Sequence, residues 1–336
     1  MKLFYISIGL SLICIEIDSL FRIFELEYIK RTNMRIAIVG IGGIGGYIGS
    51  KLCKAYATGT VHEIVFVQRG EHYRKIKESG LCYVTKNETI VSPNEIFEST
   101  ENAGLFDVIF ITVKSRDLED AARSIQANLH ADSVVISTLN GVDNAKRIQT
   151  VLPDATVLNG CIYVSAAIES PGVVRQTGGV GNLYFGSENG EVDPYVEIET
   201  LLIEAGIKAV LTEAITKAVW EKYIFICSWA SISSRYALPV GAILADEAKC
   251  TEWRSLLQEI ANLGKCLKVG LSDHIVEQCM ERFAQLPYEN KTSMQLDIEA
   301  GKIAEIDSMT KYVVDRSEAL GLAVPAHLEV LRSLEN

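Results

Sequence analysis

Between Arg35 and Cys53 runs RIAIVGIGGIGGYIGSKLC, and this stretch restricts the fold more than any other part of the chain. Ile36–Val39 is a short apolar run rich in β-branched side chains, which suits a strand covered on both faces. Gly40, Gly42 and Gly45 follow in the spacing G-x-G-x-x-G, and a helical pattern (Tyr47, Ile48, Lys51, Leu52, Ala55) comes next. Strand, glycine turn and helix in that order form the context in which this pattern signals dinucleotide binding. The first glycine makes the tight turn, the second admits a pyrophosphate close to the backbone, and the third lets helix pack on strand. Gly43, Ile44 and Gly45 then open the helix, where uncapped N–H groups and a partial positive charge face an anion. The alternative is a glycine-rich turn that binds nothing; the flanking strand and helix argue against it.

A chain of 336 residues is long enough for two domains with full cores. Its net charge of −11 argues against a general nucleic-acid surface, which needs clustered Lys and Arg. Eight scattered cysteines form no C-x-x-C and no Cys/His spacing that suits zinc, so no metal site is expected. Free thiols in a reducing cytoplasm are the simplest account of them. The N-terminal segment 1–33 begins like a signal peptide, with Lys2 and the apolar run Leu3–Ile15. No small-x-small cleavage site follows, and the run is too short to cross a bilayer. Met34 stands directly before the nucleotide-binding strand, so 1–33 reads as an extension that is either untranslated or helical and dispensable.

Glu63–Val67 reads as the second strand, ending in Gln68-Arg69-Gly70. NAD-preferring sites place a carboxylate at this tip to accept from the ribose 2′-OH. Here the tip carries Arg69, whose guanidinium suits a 2′-phosphate and so favours NADP. An antiparallel excursion (Leu81–Thr85, Glu88–Val91) and a loop are expected next. A buried strand over Asp107–Val113 follows, then a helix over Leu118–Leu129 and a strand over Ser133–Leu139. Ligands bind outside the carboxyl ends of strands in such sheets, which puts Lys114 and Asn140 at the meeting point of cofactor and substrate. Either residue also suits a plain turn. Short apolar and glycine-rich pieces from Val157 to Gly186 suggest a β-meander. A helix over 194–205 and a strand over 207–211 complete this half. From Glu213 onward the period is helical. The reading is therefore a Rossmann-type doubly wound α/β unit over 34–212, followed by an all-α unit over 213–336.

Seven pieces carry a family likeness: GIGGIGG (40–46), QRGEH (68–72), TVKS (112–115), NGVD (140–143), AVWEKYIFI (218–226), NKTSM (290–294) and AEID (304–307). In their order and spacing the chain resembles the ketopantoate reductase (2-dehydropantoate 2-reductase) family, NADPH-dependent enzymes of pantothenate biosynthesis. The resemblance implies that Gly40, Gly42 and Gly45 hold the pyrophosphate, Arg69 the 2′-phosphate, and Lys114 the ribose and phosphate side. It further implies Asn140 beside nicotinamide and substrate, Lys222 as the catalytic lysine, Ser293 as a substrate-binding serine and Glu305 as the acidic partner. The reaction implied is reduction of a 2-oxo acid, with Lys222 protonating the oxygen as it becomes an alkoxide.

Lys222 lies in an otherwise apolar helical segment, so desolvation lowers its pKa while bound anions raise it. Alternatively it snorkels, with its stem packed and its amine in water. Ser293 and Glu305 lie 12 residues apart, about 18 Å in one unbroken helix, too far for both to touch a small substrate. A helix opened by the capping box Thr292-Ser-Met-Gln295 and broken near Gly301 is therefore expected. The chain departs from the family pattern at Ile226, Ala230 and Val240, where asparagines usually read the substrate. That change bears on ketopantoate itself more than on reduction of a 2-oxo acid, and a less polar branched 2-oxo acid is an alternative. A catalytically silent NADP-binding protein is a third reading, against which Lys222, Glu305 and Asn140 argue together. The helical half carries apolar surface enough for a homodimer, without requiring one.

Overall fold

The computed structural model describes residues 33–59 and 62–335. The N-terminal extension, apart from Asn33, lies outside the described residues. Strands β1 (Arg35–Val39), β2 (Glu63–Val67), β5 (Glu95–Phe97), β6 (Phe106–Ile111), β7 (Leu129–Ser137) and β8 (Thr156–Ser170) form a parallel set in the order β5-β2-β1-β6-β7-β8. This is the doubly wound order, with the crevice between β1 and β6 where the winding reverses. Side chains alternate between two covered faces, as strand geometry requires. Ile36, Ile38, Phe66 and Phe110 enter one apolar layer, and Ala37, Val39, Val65 and Ile109 the other.

The sheet continues antiparallel through β9 (Val173–Gly186), which pairs with β8, with β3 (Leu81–Val84) and with β10 (Lys208–Leu211); β4 (Glu88–Val91) closes the edge beyond β3. Where a meander of short pieces was expected, β8 and β9 form one hairpin of 15- and 14-residue strands. Gly178 and Gly179 belong to the glycine-rich pieces that suggested separate short strands, and Gly181 follows them. In the structure they fall where the register shifts between Tyr163 and Ala166, so the strand bulges and continues. The loop expected before Glu101 contains β5, a three-residue edge strand too short to show a period. The helix expected over 118–129 ends at Ser124, and a 3₁₀ turn over Gln126–Asn128 leads into β7.

The first long helix after the sheet, α6 (Ile215–Tyr236), has 22 residues. It packs with the helix Glu247–Cys266, the helix Ile275–Phe283 and the terminal helix Pro325–Glu335 around Ile224, Cys227, Trp253, Leu257, Ile260 and Phe283. The observed architecture is thus a Rossmann-type sheet with helices, followed by an all-helical region. Among the described residues no helix is long and apolar enough to cross a membrane.

Candidate active site

The glycine turn is shaped by close contacts on two sides and left open on the third. Gly40 sits at φ +95°, and a side chain there would meet Val113 at 2.9 Å. At Gly45 a Cβ would fall 2.0 Å from the Gly40 carbonyl oxygen, so only glycine lets the helix Gly43–Tyr56 (α1) approach β1 this closely. A Cβ on Gly42 would meet nothing within 4 Å. The N-terminus of α1 has no side-chain cap and no acidic residue in its first turn. Open space in front of uncapped N–H groups fits a pyrophosphate. At the tip of β2, Arg69 is exposed, and its guanidinium has no hydrogen bond or ion pair among the described residues.

The second group of predicted residues converges where β7 ends against α6. Lys222 is only 7% exposed, and its Nζ donates to Asn140 Oδ1 at 2.7 Å. The amine therefore does not snorkel. Burial pushes its pKa below that of a free lysine, while the nearby Cys161 thiol and the Glu305 carboxylate oppose the shift. Lys222 and Asn140 line a tight crevice with Leu139, Cys161, Val219 and Ile226, too narrow as it stands to hold a water molecule. Burial pushes the Cys161 thiol up to about 11, with Lys222 working in the opposite direction.

Glu305 is half-buried, and its Oε1 accepts from the Ser115 N–H at 3.2 Å, immediately after β6. It borders an open cleft of about 470 Å³ shared with Lys114, Asp143, Arg147 and Tyr312. Lys114, which lines this cleft, pairs with Asp297 at 3.0 Å. Ser293 makes no hydrogen bond through its hydroxyl to Lys222, Asn140 or Glu305 among the described residues. It is exposed, four residues before Asp297 on the helix Ser293–Glu299 (α10), which places both on one helix face. The helix ends as expected: Gly301 has φ +65°, its N–H bonds the Ile298 carbonyl, and the Lys302 N–H bonds that of Asp297. This is a Schellman termination. It turns the chain so that Glu305 reaches the end of β6, which a continuous helix would not allow.

Two profiles described as ketopantoate reductase PanE/ApbA and as its C-terminal part match residues 36–190 and 214–336. The chain belongs to the ketopantoate reductase family. Among its curated relatives is an uncharacterized oxidoreductase, YkpB, from Bacillus subtilis, 28% identical over 90% of this chain and 98% of that one. Another is a 2-dehydropantoate 2-reductase from Mesorhizobium japonicum, 26% identical over 87% of this chain and 94% of the relative. The crystal structure of 2-dehydropantoate 2-reductase from Porphyromonas gingivalis superposes with a TM-score of 0.80 at 28% identity, covering 91% and 100% of the two chains. A D-mandelate dehydrogenase with NADH and anilino(oxo)acetate shares the fold, with a TM-score of 0.81 at 21% identity over 90% and 97% of the chains. The family is one of oxidoreductases, and this chain is one by membership.

Three features of this reductase-family site escaped the sequence reading. Gln68 Oε1 accepts from the Ile41 N–H at 2.7 Å, so the residue before Arg69 fixes the glycine turn. Asp297 partners Lys114, a pairing over 183 residues that no local pattern signals. Asn144, fully buried, donates through Nδ2 to the carbonyls of Leu139, Asn140 and Gly141 and so shapes the loop that aims Asn140. Its place four residues after Asn140 was the available clue. Of the three departures from the family pattern, Ile226 lines the gap beside Lys222, whereas Ala230 and Val240 are 2% and 0% exposed within the helical core. Replacing Asn144 with Ala strips the loop carbonyls of the two N–H groups they share and is expected to cost about 1–3 kcal/mol of stability. Urea denaturation of wild type and variant measures it; an unchanged midpoint would mean that the loop holds itself.

Proposed function

We propose that this chain reduces a 2-oxo acid to the 2-hydroxy acid with NADPH, with Lys222 as general acid and ketopantoate as the substrate that its family implies. The observation carrying this reading is the buried Lys222 ammonium, hydrogen-bonded to Asn140 at a strand end and within electrostatic reach of Glu305. Relatives named 2-dehydropantoate 2-reductase, at 26% and 28% identity, support the substrate class. The last strand ends at Leu211 and the first long helix opens at Ile215, which supports a cofactor unit over 34–212 and a catalytic unit over 213–336. Seven free cysteines among the described residues accord with a cytoplasmic enzyme. A dimeric ketopantoate reductase of Staphylococcus aureus shares the fold at 20% identity, and a homodimer is part of this reading.

The backbone of Gly40, Gly42, Gly43, Ile44 and Gly45 would hold the pyrophosphate, and the unpaired Arg69 the 2′-phosphate. Lys114 would serve the ribose and phosphate side in exchange for Asp297. Bound NADPH supplies the hydride that the oxo carbon receives. The chain's own task is to meet the negative charge that develops on the carbonyl oxygen. Lys222 does so as a fixed cation and then gives that oxygen a proton. Only one of its three N–H bonds is used by Asn140, which leaves two for the substrate. Asn140 keeps the amine aimed, and Glu305 favours its charged form against the desolvation that disfavours it. Ser293, on the helix face shared with Asp297, would bind the substrate.

Loss of NADPH absorbance on addition of ketopantoate or other 2-oxo acids tests the reaction itself; tight cofactor binding without any turnover would refute it. Lys222→Ala removes the proton donor, so kcat should fall about 10²–10⁴-fold while the Kd for NADPH changes little. Arg69→Ala should weaken NADPH by about 10–100-fold, the worth of a charged hydrogen bond, and leave NADH unaffected. A general acid must be protonated, so kcat/KM should fall as pH rises through the lowered Lys222 pKa, below the 10.5 of a free lysine. Glu305 favours the charged amine, so Glu305→Gln should move that basic limb to still lower pH. A limb that stays in place would remove Glu305 from the role.

A further inference from the structure

The segment Gln68–His72 does more at the glycine turn than Arg69 alone explains. Gln68 accepts from the Ile41 N–H, and His72 lies in the first turn of the helix Gly70–Ser79 (α2). His72 is only 7% exposed, and its Nδ1 accepts from the Gly172 N–H at 2.8 Å, a bond between residues 100 apart. Its Nε2 is buried without a hydrogen-bond partner. An acceptor at Nδ1 requires the neutral ring with its proton on Nε2. Burial favours that form by pushing the His72 pKa below its ordinary value, while the backbone of Ile41, between the first two glycines, opposes the shift.

Gly172, at φ +83°, makes the turn between β8 and β9. Its carbonyl accepts from the Cys82 N–H on β3 and its N–H goes to His72, so the turn is held from both sides. The part of the hairpin that it closes lies beyond the register shifts between Tyr163 and Ala166, so the regular ladder does not by itself fix its position. This same part meets α1. A Cβ on Gly43 would fall 1.9 Å from the Ala166 carbonyl oxygen, and one on Gly46 would fall 2.9 Å from the Val174 side chain. The first turn of α1 is therefore wedged between β1 and the hairpin, without slack for a methyl group. We infer that His72 is a positioning residue for the cofactor: by tying the β8–β9 turn to α2 it fixes the hairpin against the first turn of α1, whose N–H groups face the pyrophosphate. The inference rests on the NADPH reading above and adds to it a residue that acts through others.

Two variants of the full-length protein test it. His72→Leu keeps the bulk and removes the acceptor, whereas His72→Asn returns an acceptor, its Oδ1, at the place of Nδ1. Fluorescence titration with NADPH is expected to give a Kd about 10-fold weaker in His72→Leu, the worth of one hydrogen bond, and close to wild type in His72→Asn. At saturating NADPH and 2-oxo acid, kcat should be nearly unchanged in both, since Lys222 and Asn140 are untouched. A residue that only stabilised the fold would lower the melting temperature and leave Kd, measured well below it, unaltered; that result would overturn the inference. So would a His72→Asn protein that melts like wild type yet binds as weakly as His72→Leu. Should His72→Leu not fold, wild type still decides, because coupling is reciprocal. NADPH should slow amide exchange in the turn 170–174 as well as at 43–46, and protection confined to 43–46 would refute the tie. Wild type that binds neither NADPH nor NADH would overturn the cofactor reading and this inference together; equal NADPH affinity in all three proteins would overturn this inference alone.

Discussion

An ammonium held out of water is costly unless hydrogen bonds and opposite charge surround it, and the group that supplies the hydrogen bond here belongs to the other half of the molecule. Lys222 comes from the first long helix, while its acceptor Asn140 stands at the end of a parallel strand 82 residues earlier. The two halves must therefore pack closely for the lysine to be tolerated at all. Around this contact the remaining elements take their positions. Asn144 pins the loop that presents Asn140, the Gly301 termination swings Glu305 back to the strand ends, and Asp297 ties α10 to Lys114.

The same arrangement separates the two tasks of the site. The glycine turn, the open α1 N-terminus and Arg69 lie on the sheet and offer positive potential without burial, which suits a charged ligand that must enter and leave. Lys222 lies in the narrow gap, where low dielectric strengthens its effect on a developing charge. Glu305 accepts from the Ser115 N–H beside the cleft, and its charge is felt by Lys222. The cross-half contacts of Lys114 and Arg116 with α10 and the segment after it are exposed ones, worth little in stability. They suit a boundary that opens for ligands.

Much of this could be read from the chain, where the signal was local. The β1–glycine–α1 unit, the Arg69 tip, the helical second half and the break at Gly301 each rest on short-range chemistry: periodicity, backbone freedom and capping. What could not be read was governed by partners distant in sequence. Glycines 178, 179 and 181 mark bulges within a long strand only because β8 lies alongside to continue the ladder. Ala230 and Val240 share the altered pattern with Ile226, yet only packing decides that those two enter the core and Ile226 faces the gap.

The sequence by itself determined that a dinucleotide-type α/β half precedes a helical one, and which lysine, asparagine and carboxylate were candidates for chemistry. The fold and the strand-end place of Asn140 follow from residue type and spacing, which act over a turn or a strand, whereas the choice of Lys222 and Glu305 came with the family resemblance. The tertiary structure alone decided that Lys222 is buried against Asn140 rather than extended into water and that Lys114 is paired with Asp297. Burial and pairing depend on what the rest of the chain places opposite a residue, and no local pattern carries that information.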